Sequence, residues 1–342
     1  MVNNYSAWGI DPKKFPANGT IKAKIAFILR YGILAPSTHN SQPWDIKFIA
    51  DNKIQIIIKN EKKLPFADPS GRGLAISIGT FLQNIILASR ALQVECSSYR
   101  YSSAKSSLTI EFQAKPKAAA NGGAVLDAIV ARCSNKRAYT LAPIPDSILT
   151  ATSKLAIQNN ATITYIKGGK DLSAIADLYQ ASALRFARSN GFIKELKAWM
   201  RPNKTSHYDG MPGFVLGLNS LQDRIGRTLL GRAQSFNDLT AKKYHPLIKH
   251  GPILGVISTR TDNHQAWLSA GIAYEDAAVH FASKGVSTTL LAAIIEDKNG
   301  RSSLAKKLGT KLYPQIFFRA GYPYYVGQHT PRKPLEVCII EE

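Results

Sequence analysis

Two apolar stretches, ISIGTFLQNIILASRALQV from Ile76 and LSAGIAYEDAAVHFASKGV from Leu268, align without a gap and share Ser77 with Ser269, Gly79 with Gly271 and Val94 with Val286. Each is long and apolar enough for a buried helix, and each runs into strand-like sequence. A chain that repeats a buried helix and a following strand has few choices. Two like units must cover each other's apolar faces, as the subunits of a two-fold dimer would. The expectation is an α+β fold, internally duplicated, with antiparallel or mixed sheets flanked by helices and both halves in one chain.

Local patterns fill in the rest. Ile21, Ile25, Ile28 and Leu29 recur at helical spacing, and that helix should stop between Gly32 and Pro36. WDIKFIADNKIQIIIK reads as two short strands about an Asp51-Asn52-Lys53 turn, and SLTIEF as another strand. Residues 113–123, rich in Ala, Lys and Gly, are the best candidate connection, dividing the chain into halves 1–123 and 124–342.

Composition narrows the function classes. Cys96, Cys133 and Cys338 form an odd set without metal-ligand spacing, so a reducing, cytoplasmic compartment is expected, without structural disulfides. The longest apolar runs are broken by Lys24, Arg30 or Gln83, so no membrane partner is expected. The formal charge of +21 would attract anionic ligands, nucleic acid or membrane surfaces. Its basic residues are nevertheless dispersed, and neither an RNP-like sequence nor a zinc-finger spacing occurs; a nucleic-acid scaffold ranks last. His245, His250 and His264 lack tight ligand spacing, and no metal site is expected.

Two stretches carry chemistry. LAPSTHNSQPWDIKF, residues 34–48, gathers uncharged hydrogen-bonding groups beside a proline-stiffened turn. Trp44 reads as a core anchor rather than a stacking residue. ARCSNKRAY from Ala131 places Arg132, Ser134, Lys136 and Arg137 within six residues, a set suited to a phosphate or to an exposed basic surface. Arg332 and Lys333 follow in a second proline-stiffened basic segment. Cys133 sits among cations that would lower its pKa, yet it has no evident task. In FADPSGR, Asp68 and Arg72 are expected to form a local turn and ion pair.

APSTHNSQPW at 35–44, FADPSGR at 66–72, RCSNKRAY at 132–139, YDGMP at 208–212, and PQIFFRAGYP followed by PRKPLE stand in an order that resembles the FMN-dependent nitroreductases, specifically their fused, Acg-like branch. The resemblance covers most of the chain. It implies one FMN where the first motif meets the second. Ser37, Asn40 and Gln42 would lie along its ring or ribityl chain, and Arg132, Ser134 and Arg332 would hold its phosphate. Lys136 would sit by the flavin N1/O2 edge as the catalytic cation, with Arg137 and Lys333 nearby. His39 could reach the flavin or could cap a turn. Leu290, Ala292 and Ala293 stand where many relatives have a Pro-x-Glu-Gly stretch, so only a backbone contact to flavin N5 is implied there.

The implied activity is ping-pong transfer of reducing equivalents from NADPH or NADH to a nitroaromatic, quinone or similar small acceptor. The alternative is FMN sequestration with little turnover. An insertion near 190–245, which includes Tyr208-Asp209-Gly210, would form a lid, although Asp-Gly turn chemistry explains those residues equally well. The chain would act as a monomeric pseudo-dimer or a homodimer.

Overall fold

The computed structural model describes residues 3–114 and 122–341; most of the expected connection, 115–121, lies outside the described residues. Helix α1 (Ile21–Gly32) starts where the Thr20 side chain accepts from the Ala23 N–H and ends within the expected window. Strands β1 (Trp44–Ala50) and β2 (Lys53–Ile58) follow as a hairpin, then α2 (Arg72–Ala91), β3 (Val94–Ser102) and β4 (Ser107–Ala114). All neighbours are antiparallel, in the order β1-β2-β4-β3.

Past α3 (Gly122–Ala131), the same plan repeats with α4 (Asp146–Gln158) and β5 (Thr162–Ile166). A long insertion intervenes: α5 (Gly169–Ala187), α6 (Asn190–Trp199), the paired stubs β6 (Met200–Arg201) and β7 (Met211–Pro212), α7 (Ser220–Leu229), α8 (Gln234–Lys242) and α9 (Tyr244–Lys249). Then come β8 (Ile253–Thr259), α10 (His264–Ala282), β9 (Ser287–Leu290), α11 (Ala293–Glu296), α12 (Lys298–Lys307), β10 (Tyr313–Gly321) and α13 (Leu335–Cys338). The second sheet runs β5-β8-β10-β9, also antiparallel. The two sheets are thus topological copies. What is a tight turn between β1 and β2 has become residues 167–252 between β5 and β8.

The copies meet along α2 and α10, and the aligned glycines explain how. A Cβ on Gly79 would run into the Leu268 carbonyl oxygen, and a Cβ on Gly271 into that of Ile76. Gly79 aligns with Gly271 and Ile76 with Leu268, so this contact is its own two-fold image. By composition α2 is long and apolar enough to cross a membrane, but it is mostly buried here as a core helix.

Trp44 is fully buried with its ring 4.8 Å from Phe81, a core anchor as expected. Ile46, Ile54 and Ile56 alternate onto the same core. The C-terminal segment crosses to the first half: α13 packs into its core, and the Ile340 N–H donates to the Ile46 carbonyl at 2.9 Å. The first half is therefore completed by residues from the far end of the chain.

Candidate functional site

Leaving α1, the chain turns through Ser37 to Gln42 with His39 (φ 54°), Asn40 (φ 56°) and Gln42 (φ 49°) all in the left-handed region. Such backbone is strained for non-glycine residues and persists only where surrounding bonds over-determine it. They do so here. Ser37 Oγ accepts from the Gln42 N–H at 2.9 Å, and the Thr38 N–H donates to Ser77 Oγ at 3.3 Å. Asn40 Nδ2 donates to the carbonyls of Gly210 (3.2 Å) and Pro331 (3.0 Å), while its Oδ1 accepts from Arg332 Nη1 at 2.7 Å. Gln42 Nε2 donates to the Tyr208 carbonyl at 2.6 Å, and its Oε1 accepts from the Lys333 N–H at 2.9 Å. Both amides are engaged at oxygen and nitrogen. Their observed work is to stitch the insertion and the C-terminal segment onto this turn.

Beneath it lies a buried ionic cluster. Arg132, at the end of α3, donates from Nη2 to the Leu34 carbonyl at 3.1 Å, and its Nε stands 2.8 Å from Glu275 Oε1, close but off the hydrogen-bonding axis. Arg332 donates from Nη2 to the carbonyls of Leu34 and Ala35 at 3.2 Å, and its guanidinium lies 5.0 Å over the Trp8 ring. Trp8 in turn stacks on His329 with ring centroids 3.8 Å apart. Burial lifts the Glu275 carboxyl to about 7 against the pull of Arg132 and Arg332. Burial, then the like charge of Arg132, lowers Arg332 to about 9, and burial with both arginines lowers His329 to about 4. Two buried guanidinium groups thus share one reluctant carboxylate. Arg332 Nε and His329 Nδ1 have no hydrogen-bond partner among the described residues. The cluster carries excess positive charge that an anion would balance.

Because burial favours the neutral carboxyl, Glu275→Gln should raise unfolding free energy in urea at pH 7, and the gain should fade as pH falls toward the ordinary 4.5. A loss of about 3 kcal/mol or more would mean that pairing with Arg132 outweighs the burial of the carboxylate.

Above the cluster is a cavity of about 50 Å³ walled by Ser134, Lys136 and Arg137, by Phe214 and Val215 of the insertion, and by Gly327 and Gln328. Ser134 is positioned by a parallel bridge to Thr288 of β9. The Lys136 ammonium makes no ion pair or hydrogen bond among the described residues, and burial, then Lys243, lowers its pKa to about 8. His39 faces the same charge: burial and Lys136 push its pKa to about 3, and its Nε2 has no hydrogen-bond partner among the described residues. The neutral histidine of the first motif and the lysine of the second are thereby neighbours.

Of the other candidates, Arg137 also walls this cavity, and Lys333, Leu290, Ala292 and Ala293 do not. Arg137 is exposed, its guanidinium 5.9 Å over Tyr325. Lys333 contributes its backbone N–H to Gln42, and burial lowers its ammonium pKa. Leu290 ends β9 opposite Phe318, and Ala292 and Ala293 lead into α11; none of the three walls the cavity.

Some expectations need correcting. Arg72 pairs not with Asp68 but with Glu296, 3.0 Å from Nη2 to Oε2, because α11 brings that carboxylate over the start of α2. Asp68 instead accepts from the Leu74 N–H at 2.8 Å, and burial, then Glu296, raises it to about 6. Burial pushes the Cys133 thiol up, outweighing the two arginines. His245 pairs with Asp177 at 2.8 Å, and no metal-binding group of residues occurs among the described residues. Glu275, Trp8 and His329 were missed. Only Glu275 carried a signal, an acidic residue inside an apolar helix.

No family model matches the chain. A Mycobacterium tuberculosis H37Rv protein provisionally named NAD(P)H nitroreductase Rv3131 is 23% identical over 324 residues, 94% of this chain and 90% of its own length. A second, provisionally named NAD(P)H nitroreductase acg from the same strain, is 23% identical over 333 residues, 95% of this chain and 96% of its own. The solved FMN- and NADPH-dependent nitroreductase NfnB of Sphigopyxis sp. strain HMH overlaps 64% of this chain and 98% of its own at 14% identity and a TM-score of 0.43. That overlap is too loose to add weight to the two sequence relatives.

Proposed function

From this chain's similarity to two relatives named as nitroreductases, we propose that it belongs to that family, alongside its Acg-like branch, and is an FMN-dependent oxidoreductase passing reducing equivalents from NAD(P)H to a small acceptor such as a nitroaromatic or quinone. The observation that carries this reading is a Lys136 ammonium with no ion pair or hydrogen bond among the described residues, next to two buried arginines that share the single carboxylate of Glu275. Both features suit FMN. Its phosphate would be held by Arg132, Ser134 and Arg332, and its ring edge would lie toward Lys136 and His39.

FMN, when bound, accepts a hydride equivalent from the nicotinamide donor and passes electrons to the acceptor, so the two substrates would use the site in turn. The chain's own part is electrostatic. Lys136 offers a fixed positive charge in a water-poor wall, where it favours the negative charge added on reduction. His39, held neutral, can take part in hydrogen bonding without adding a second charge. Asn40 and Gln42 hold the turn, while Arg132 and Arg332 anchor the phosphate. The reading takes residues 1–123 and 124–342 as the two halves, 190–245 as a lid, and a reducing cytoplasmic setting.

A storage role is the second reading, favoured by Phe214 and Val215 closing over the cavity and by the Tyr208–Gly210 loop bonded to the first motif. One experiment separates them: the visible spectrum of the purified protein, followed without oxygen after NADPH and then NADH. A yellow protein that bleaches and recovers with a quinone supports turnover. A yellow protein that stays yellow favours storage, and a colourless one that cannot be reconstituted with FMN overturns both.

A further inference from the structure

Helix α7 presents the wrong side to water. Its inward positions are Asp223, 2% exposed, and Gly226, with Asp223 held by Arg227 at 3.2 Å and by the Asn203 N–H at 3.3 Å. Its outward positions are Leu221 (66% exposed), Ile225 (47%) and Leu229 (38%), at i, i+4 and i+8, a single stripe along the helix. On α8, the next helix in the chain, Leu239 is also 65% exposed. A complete capping box between Asn219 and Gln222 fixes where α7 starts, which sets the direction of the stripe. Burying one carboxylate and a glycine while exposing three large aliphatic side chains gains nothing for folding, so the face is shaped for something outside the chain.

Charge selects the occupant. Arg224 and Arg232 are exposed on and just beyond the helix, and the whole chain carries +21. A second copy would bring the same sign to the contact, whereas an anionic bilayer offers both acyl chains and phosphates. We propose that α7 seats on an anionic phospholipid surface, with Leu221, Ile225 and Leu229 at the acyl boundary and Arg224 and Arg232 at the phosphates. The contact is peripheral and places no helix across the bilayer.

The test is co-sedimentation of the full chain with phosphatidylcholine vesicles, with and without phosphatidylglycerol, at physiological salt. Wild type should sediment only with the anionic vesicles. Leu221→Ser/Ile225→Ser/Leu229→Ser and Arg224→Glu/Arg232→Glu should each weaken binding by about tenfold or more while keeping the wild-type circular dichroism spectrum, since every altered side chain is on the surface. Equal binding by wild type and the triple variant would overturn the proposal, because charge alone would then suffice. So would no binding by wild type, or a wild-type dimer that the triple variant makes monomeric, which would give the face to a second copy.

Discussion

Gly79→Ala is expected to lower unfolding free energy by about 3 kcal/mol or more, at or beyond the usual upper end for overpacking. The new methyl group meets the Leu268 carbonyl oxygen, the Gly271 Cα and the Ile272 nitrogen, all backbone atoms that cannot rotate aside. The helices must separate instead, which opens the junction of the two halves. Gly271→Ala should cost a similar amount through Ile76. The double variant should lose less than the sum, because helices already pushed apart by the first methyl leave room for the second. Gly123→Ala is the control: a Cβ there meets nothing within 4 Å, and a helical alanine should be neutral or stabilising by about 0.5–1 kcal/mol. Urea denaturation decides it, and a loss below about 1 kcal/mol at Gly79 would show that the helices do not cross this closely.

Lys136→Met should slow NADPH-driven flavin reduction by about 10²-fold, the scale for removing one well-placed electrostatic contact, with FMN affinity little changed. Arg132→Ala should do the reverse and chiefly release FMN. The same Lys136→Met change should raise the melting temperature of the flavin-free protein, because the half-buried wild-type ammonium is partly desolvated and has no ion pair or hydrogen bond among the described residues. The sign can be checked against pH. Below about 8 folded and unfolded chains both hold the lysine proton, and the burial penalty is present in full. Between about 8 and the ordinary 10.5 only the unfolded chain keeps it, so wild-type stability rises with pH and the variant's advantage shrinks. Wild-type flavin reduction should decline over the same rise. A variant that reduces flavin at the wild-type rate would remove Lys136 from its proposed role.

Much of this architecture is written locally. The repeated glycine-bearing helix, the Ile21–Leu29 spacing and the alternating strands each depend on neighbours a few residues away, and they appear in the structure as α2 and α10, α1 and the β1–β2 hairpin. The two polar motifs were legible as unusual clusters for the same reason. Their partners were not. Arg72 was expected to turn back on Asp68 four residues earlier, but it finds Glu296 in the other half. Asn40 is bonded to Gly210, Pro331 and Arg332, and Trp8 stacks on His329.

By itself, then, the sequence determined the repeated unit and the residue types available for a site, because helix period, strand alternation and turn chemistry act over short stretches. Only the tertiary structure decided which of those residues meet. Two buried arginines share one glutamate, and Lys136 is left without a counter-charge among the described residues, because the α2–α10 crossing, the inserted helices and the returning C-terminal segment bring distant positions into one low-dielectric space. There, charge balance depends on spatial neighbours and not on sequence neighbours.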